Sequence, residues 1–280
     1  ESSRPGIHIR SDLWDNETIS LLENETIDHL PKEAHLSFTT VRHALKLIQT
    51  PQSSFELEIQ SDFPSTFGFG SSSAIYLGIL EAFKKLFPYA ECALTEAVNL
   101  QKSSQKFASG YDIWTQASGG LVVFHKNHVH PAAFNNQNFL VVYVGGKGAT
   151  SPGLVPRTFA WLKKNNRLDQ LRFFNEKLIK QLKHLLQEFN GEKQSDFFDS
   201  LRQQQALIAM SPAHNKIIPE LEKINGCYTD WAAKTTGAGG EDAILVFGKP
   251  EKRRIAESYL TECGWYPLKL MIHPQGAQAQ

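Results

Sequence analysis

Pro64-Ser-Thr-Phe-Gly-Phe-Gly-Ser-Ser-Ser-Ala74 joins two segments of opposite periodicity. Before it, Phe55, Leu57 and Ile59 alternate with Glu56, Glu58 and Gln60, the period of a half-buried strand. After it, Ile75, Leu77, Ile79, Leu80, Phe83 and Leu86 recur at helical spacing and predict a helix over 74–86. Gly68 and Gly70 let the backbone turn sharply and approach a ligand closely. Ser71, Ser72 and Ser73 stand where the helix begins, so free N–H groups, hydroxyls and the positive end of the helix dipole meet there. A Gly/Ser turn that merely caps a helix would use the same residues. The length of the stretch, set between a clear strand and a clear helix, favours an anion-binding loop.

A second glycine cluster, Lys234-Thr-Thr-Gly-Ala-Gly-Gly-Glu-Asp242, leads into the apolar run Ala243-Ile-Leu-Val-Phe247. Between the clusters lie Ser109-Gly-Tyr-Asp112, then Gly119-Gly120 and an apolar strand at 121–124. In this order and spacing the pieces resemble the GHMP kinases, the family of galactokinase, homoserine kinase, mevalonate kinase and phosphomevalonate kinase. Pro64, Gly68, Gly70, Ser71 and Ser72 match the family's second motif, P-x-x-x-G-L-G-S-S-A, with Phe69 for Leu. Lys234, Thr236, Gly237, Ala238, Gly239 and Gly240 match its third, K-x-[ST]-G-A-G-G-G. The resemblance runs from about residue 36 to the C-terminus. The first motif is not visible: Pro5-Gly6 is a partial match that continues as a strand, and the expectation is that the motif lies outside this numbering or has diverged.

The resemblance implies an α+β, two-domain fold. Residues 1–135 would form a domain like the second domain of ribosomal protein S5, and residues 136–280 a ferredoxin-like domain, with ATP in the cleft between them. It implies ATP and Mg2+ as cofactors and a small-molecule acceptor. Gly68, Gly70, Ser71, Ser72 and Ser73 would hold the phosphates, with Ser72 as the magnesium ligand and Ser71 and Ser73 nearer the phosphates. Gly237, Ala238, Gly239 and Gly240 would close the site, and Lys147, in Gly146-Lys-Gly-Ala-Thr-Ser151, would meet an anionic acceptor. A loop lysine bathed in solvent fits that position equally well.

Asp112 is the catalytic candidate. Mevalonate and phosphomevalonate kinases carry a similar Ser-Gly-[Ile/Phe]-Asp whose aspartate accepts a hydroxyl proton or orients the acceptor. Without that likeness an Asp in a Gly-containing turn is a turn former. Two positions depart from the family. Mevalonate kinases place a magnesium-binding glutamate eleven residues before this aspartate, where this chain has Gln101, and Glu96 is the substitute if the helix is shifted. Glu241 replaces the last glycine of the third motif, while Asp242 agrees with its phosphomevalonate-kinase form. The expected reaction is transfer of the ATP γ-phosphoryl group to phosphomevalonate or mevalonate. Alternatives are a GHMP kinase with a sugar or amino-alcohol acceptor, or a degenerate relative that senses a nucleotide or metabolite.

Other phosphate loops fit less well. Lys147 is followed by Gly148 rather than the Ser/Thr of a Walker loop, and Ser73 stands where dinucleotide and protein-kinase loops need a third glycine. Gly70-Ser71-Ser72-Ser73-Ala74 falls one residue short of the G-x-S-x-G nucleophile elbow. An elbow turns directly off its strand, whereas 64–70 inserts a long loop, so no histidine is expected on these serines.

The chain of 280 residues is 41% hydrophobic and 21% charged, an ordinary globular composition. Its 29 basic residues equal its 29 acidic ones, which gives no footprint for nucleic acid or an anionic membrane. Apolar runs are far short of a membrane span. Cys92, Cys227 and Cys263 are widely separated, as expected of reduced thiols in the cytoplasm, and monomer or homodimer is left open. His125, His128 and His130 alternate near a strand end and read as surface residues rather than a metal site.

Further along, strands and turns are expected over 6–30, and helices over 36–49, 94–105, 168–189, 196–210, 216–225 and 251–262. Strands are expected at 139–144, 243–247 and 268–272. The polar stretch 125–138 marks the expected domain boundary.

Overall fold

The alternation around Leu57 forms a strand in the computed structural model, which describes residues 5–22, 24–48, 54–62, 69–87, 93–105, 108–125, 128–132, 139–143, 151–185, 191–213, 218–227, 229–236 and 243–277. Three strands make the first sheet: β1 (Gly6–Ser11), β2 (Thr18–Leu21) and β3 (Ser54–Ile59), in the order β2-β1-β3. β1 pairs antiparallel with β2 and parallel with β3, so Ile9 lies between Ile19 and Leu57. The parallel pair needs a crossover, and α1 (Lys32–Ile48) supplies it. One sheet face is apolar and packs against α1 and α2 (Ser71–Leu86), while α3 (Ala93–Ser104) packs on α2; Phe38, Val41, Tyr76, Leu77, Phe83 and Ala97 join Ile7 and Ile9 in one buried core. Phe55 of β3 stacks on Phe83 of α2 with ring centroids 4.7 Å apart. This contact fixes the strand and helix that flank residues 63–68, which lie outside the described residues.

The helix after the loop begins at Ser71, three residues earlier than the apolar stripe predicts. All three serines therefore belong to its first turn. A short helix that the sequence reading took for a turn, α4 (Tyr111–Ser118), carries Asp112. Glycine bounds it at both ends, Gly110 (φ 78°) and Gly119 (φ 66°), and Ile113 is its buried anchor. A hairpin follows, β4 (Leu121–His125) with β5 (His128–Ala132). The polar stretch 125–138 thus contains a strand, and His125, His128 and His130 are exposed on it.

The second sheet is four-stranded and antiparallel. It comprises β6 (Phe139–Tyr143), β7 (Trp231–Thr235), β8 (Ala243–Gly248) and β9 (Tyr266–Leu268), in the order β7-β8-β6-β9. With α9 (Arg253–Glu262) between β8 and β9, this is the strand order of a ferredoxin-like fold, as the resemblance implied. The connection from β6 to β7 is expanded to four helices: α5 (Ser151–Lys164), α6 (Leu168–Leu185), α7 (Gly191–Ala209) and α8 (Ile218–Cys227). α5 was not anticipated, since Gly153 and Pro156 interrupt its pattern. The last strand is shorter and earlier than 268–272.

Strand β7 leads into the second glycine cluster, and side chains satisfy its outer edge. Asn225 of α8 accepts from Ala233 N at 2.7 Å and donates to Ala233 O at 2.9 Å, as a neighbouring strand would. The Arg202 guanidinium donates to the carbonyls of Thr229 and Trp231, and Gln205 Oε1 accepts from Thr235 N at 3.2 Å. The exposed ladder that makes an edge strand a pairing hazard is thereby closed.

The C-terminal segment returns to the first half of the chain. Gly120 N donates to His273 O at 2.7 Å, and Ala277 N donates to Gln116 O at 2.8 Å, so residues 273–277 lie along the end of α4.

Candidate active site

The starts of α2 and α4 meet. Gly70 caps α2 in the left-handed region (φ 81°) with no side-chain cap, and the first helical bond runs from Ala74 N to Gly70 O. The N–H groups of Ser71, Ser72 and Ser73 thus lack intrahelical partners and add to the positive end of the dipole. Gly70 also permits the approach of α4. A Cβ there would lie 3.0 Å from Gln116 Nε2 and 3.8 Å from Asp112 Cβ, and Gln116 Nε2 donates to Gly70 O at 3.1 Å.

A closed hydrogen-bonded triangle occupies the junction. Ser73 Oγ donates to Asp112 Oδ2 in a short hydrogen bond. Gln101 Nε2, from α3, donates to Asp112 Oδ2 at 2.8 Å and to Ser73 Oγ at 3.0 Å. Ser73 is 1% exposed and Gln101 4% exposed, so these donors work where water competes little. Asp112 itself is partly exposed, and its Oδ1 accepts from Ile113 N at 3.1 Å. Although the adjacent Tyr111 is 46% exposed, partial loss of hydration around its hydroxyl, and then the charge of Asp112, raises its pKa above the ordinary value. The structure therefore brings together Ser73, Asp112 and Gln101 across helices that are far apart in sequence. Ser71 and Ser72 lie on the same helix turn, half-buried. Glu96 is committed elsewhere, with its carboxylate 2.7 Å from His43 Nε2.

Gly68, Lys147, Gly237, Ala238, Gly239, Gly240 and Glu241 lie outside the described residues. Lys234 and Thr236 are at the edge of that cluster. The Lys234 ammonium donates to Thr235 O and has no carboxylate partner among the described residues. Part of the side chain reaches the surface, but loss of hydration at the ammonium lowers its pKa to about 8.

Magnesium requires hard oxygen ligands that converge. Ser73 Oγ and Asp112 Oδ2 converge, but Gln101 presents them its N–H2 group, and its Oε1 is buried without a partner. Reversing the amide would set one acceptor against another 2.8 Å away. As built, the triangle does not fit a cation, and no group of three or more His, Cys, Asp or Glu able to hold a metal occurs among the described residues. Sequence reasoning noted Gln101 as a departure but missed the contribution of Ser73 to the triangle. The signal was available, since Ser73 occupies the alanine position of P-x-x-x-G-L-G-S-S-A. No histidine is hydrogen-bonded to Ser71, Ser72 or Ser73 among the described residues, so the nucleophile-elbow arrangement is not formed there.

Residues 37–120, which carry the serine loop, Gln101 and Asp112, match the family of the GHMP kinases N-terminal domain. No curated protein sequence matches the chain. Among solved structures, L. major mevalonate kinase in complex with R-mevalonate is similar at 14% identity and a TM-score of 0.71, covering 98% of this chain and 84% of that one. A D-glycero-D-manno-heptose 1-phosphate kinase from Bacteroides thetaiotaomicron is similar at 13% identity and a TM-score of 0.69, covering 99% and 84%. Streptococcus pneumoniae phosphomevalonate kinase is similar at 14% identity and a TM-score of 0.65, covering 96% and 85%. These likenesses establish the fold along nearly the whole chain, and the family match establishes the kinase domain within it. Residues 37–120 are thus similar to the N-terminal domain of the GHMP kinases, and nearly the whole chain has the fold of such kinases.

Proposed function

We propose that this protein is an ATP-dependent small-molecule kinase of the cytoplasm, acting on phosphomevalonate or mevalonate. The observation that carries the reading is the meeting of two helix starts at Gly70 and Asp112. The uncapped first turn of α2 lies beside a carboxylate fixed by Ser73 Oγ and Gln101 Nε2. Phosphoryl transfer needs positioning and charge stabilisation more than covalent chemistry from the protein. The first turn of α2 would hold the phosphates through its N–H groups, with Ser71 and Ser72 adding hydroxyls. Asp112 would orient the acceptor oxygen or take its proton through Oδ1, while Ser73 and Gln101 fix Oδ2. Gly68, Lys147 and Gly237 to Gly240 complete the proposed site. Magnesium brought by the nucleotide would neutralise phosphate charge, with the half-buried Ser72 hydroxyl as its proposed protein ligand.

The proposed domain boundary near residue 135 is supported by the cores. One is built from residues 7–113, and the others are built from residues 140–265. A second reading, a nucleotide or metabolite sensor, is favoured by the neutral Gln101 amide beside Asp112. Coupled ATP-turnover assays with mevalonate, phosphomevalonate, galactose and homoserine decide among these. Turnover with either of the first two supports the proposal, a sugar or amino-alcohol acceptor reassigns the substrate, and ATP binding without turnover on any acceptor supports the sensor.

A further inference from the structure

We infer that the Gln101 amide takes the place of a protein-bound divalent cation at Asp112, so that the nucleotide-free protein has no metal site there. This deepens the kinase reading and rests on it for its meaning, but its test needs no nucleotide.

The argument begins with what Asp112 Oδ2 receives. Ser73 Oγ–H and Gln101 Nε2–H converge on it, and Gln101 Nε2 also donates to Ser73 Oγ. Three groups from three helices thus satisfy one another in a closed ring. An Nε2 hydrogen bonded at 2.8 Å to a carboxylate oxygen lies in the space a cation would need beside that oxygen. The amide orientation is fixed by chemistry, because Asp112 Oδ2 and Gln101 Oε1 are both acceptors. The cost appears in the structure as a buried Gln101 Oε1 with no donor among the described residues. A carboxylate at position 101 would reverse this. It would place two anionic groups and the Ser73 hydroxyl around one point, a set of oxygens suited to a hard cation. Gln101 is therefore the residue that decides whether this point holds a metal.

The test is Mn2+ binding to the purified full chain without nucleotide, followed by the electron paramagnetic resonance signal of free Mn2+. The wild type is expected to leave Mn2+ free at protein concentrations where Gln101→Glu binds it at least roughly tenfold more tightly, because a carboxylate adds ligand charge. Ser73→Ala combined with Gln101→Glu is expected to lose part of the gained affinity. Wild-type binding that Gln101→Leu abolishes would overturn the inference, since Oε1 would then be a ligand. A folded Gln101→Glu protein, checked by thermal melting, that gains no Mn2+ affinity would also overturn it. Should that variant not fold, the comparison of wild type with Gln101→Leu still decides. Failure of the kinase reading would appear separately, as absence of ATP binding and turnover.

Discussion

Gly276 lies against Ala117 so closely that a Cβ on the glycine would stand 1.9 Å from the Ala117 carbonyl oxygen. The contact joins the C-terminal segment to the helix that carries Asp112, and Ala277 N bonds to Gln116 O beside it. The side chain of Gln116 in turn donates to Gly70 O, so the segment's docking site and the serine turn are held by one helix.

Gly276→Ala is accordingly expected to displace the segment. Overpacking of this kind costs about 1–3 kcal/mol, read as a lower melting temperature. Amide exchange within 111–120 should accelerate while that of α1 stays unchanged. Equal exchange in both proteins would show that the segment does not restrain α4.

Asp112→Asn tests the carboxylate. The amide retains the shape and can still accept from Ser73 and Gln101, but it loses the charge and the ability to take a proton. With a hydroxyl acceptor such as mevalonate, turnover should fall by about 10²–10⁴-fold. With phosphomevalonate the loss should be smaller, because the attacking phosphate oxygen is already ionised. Unchanged turnover on the best substrate would remove Asp112 from the chemistry.

The serine turn and its flanks were legible because a strand of period two and a helix with a strong apolar stripe bracket it. α4 was not legible. Its eight residues carry one fully buried anchor, Ile113, and Gly110 and Asp112 have the composition of a turn. β7 was hidden for another reason: Trp231-Ala-Ala-Lys-Thr235 has weak strand propensity, and the clasp of Asn225, Arg202 and Gln205 holds it in place. The triangle of Ser73, Gln101 and Asp112 was legible only in part. The resemblance to mevalonate and phosphomevalonate kinases named Asp112 and Gln101, but which serine of three points inward depends on where α2 begins, and Ser71 rather than Ala74 opens it.

Asn225→Ala should expose the dependence of β7 on its side-chain partners. The change strands both Ala233 N–H and Ala233 C=O, at about 1–3 kcal/mol for each group left unsatisfied. Asn225→Asp keeps the acceptor for Ala233 N and loses the donor to Ala233 O, so its stability should fall between those of the wild type and Asn225→Ala. Chemical denaturation of the three proteins orders them. If Asn225→Ala were as stable as the wild type, the clasp would contribute nothing to holding the strand.

Lys234 gives stability a pH dependence of known sign. Loss of hydration lowers its folded-state pKa to about 8 from an ordinary value of 10.5. Between these values the unfolded chain holds a proton that the folded chain has released, so this residue makes stability rise with pH. Below pH 8 the lysine is protonated in both states, and its desolvation penalty is present in full and constant. Lys234→Met removes the penalty while keeping much of the packing stem. The variant should therefore be the more stable protein at pH 7, and its advantage should shrink as pH rises from 8 towards 10.5. Melting curves of both proteins across that range isolate the effect, because the other titrating groups are common to them. Parallel curves would mean that the ammonium is well hydrated in the fold. A bound anion beside Lys234 favours its charged form, so saturating ATP should flatten the wild-type curve and leave that of Lys234→Met unaltered in slope.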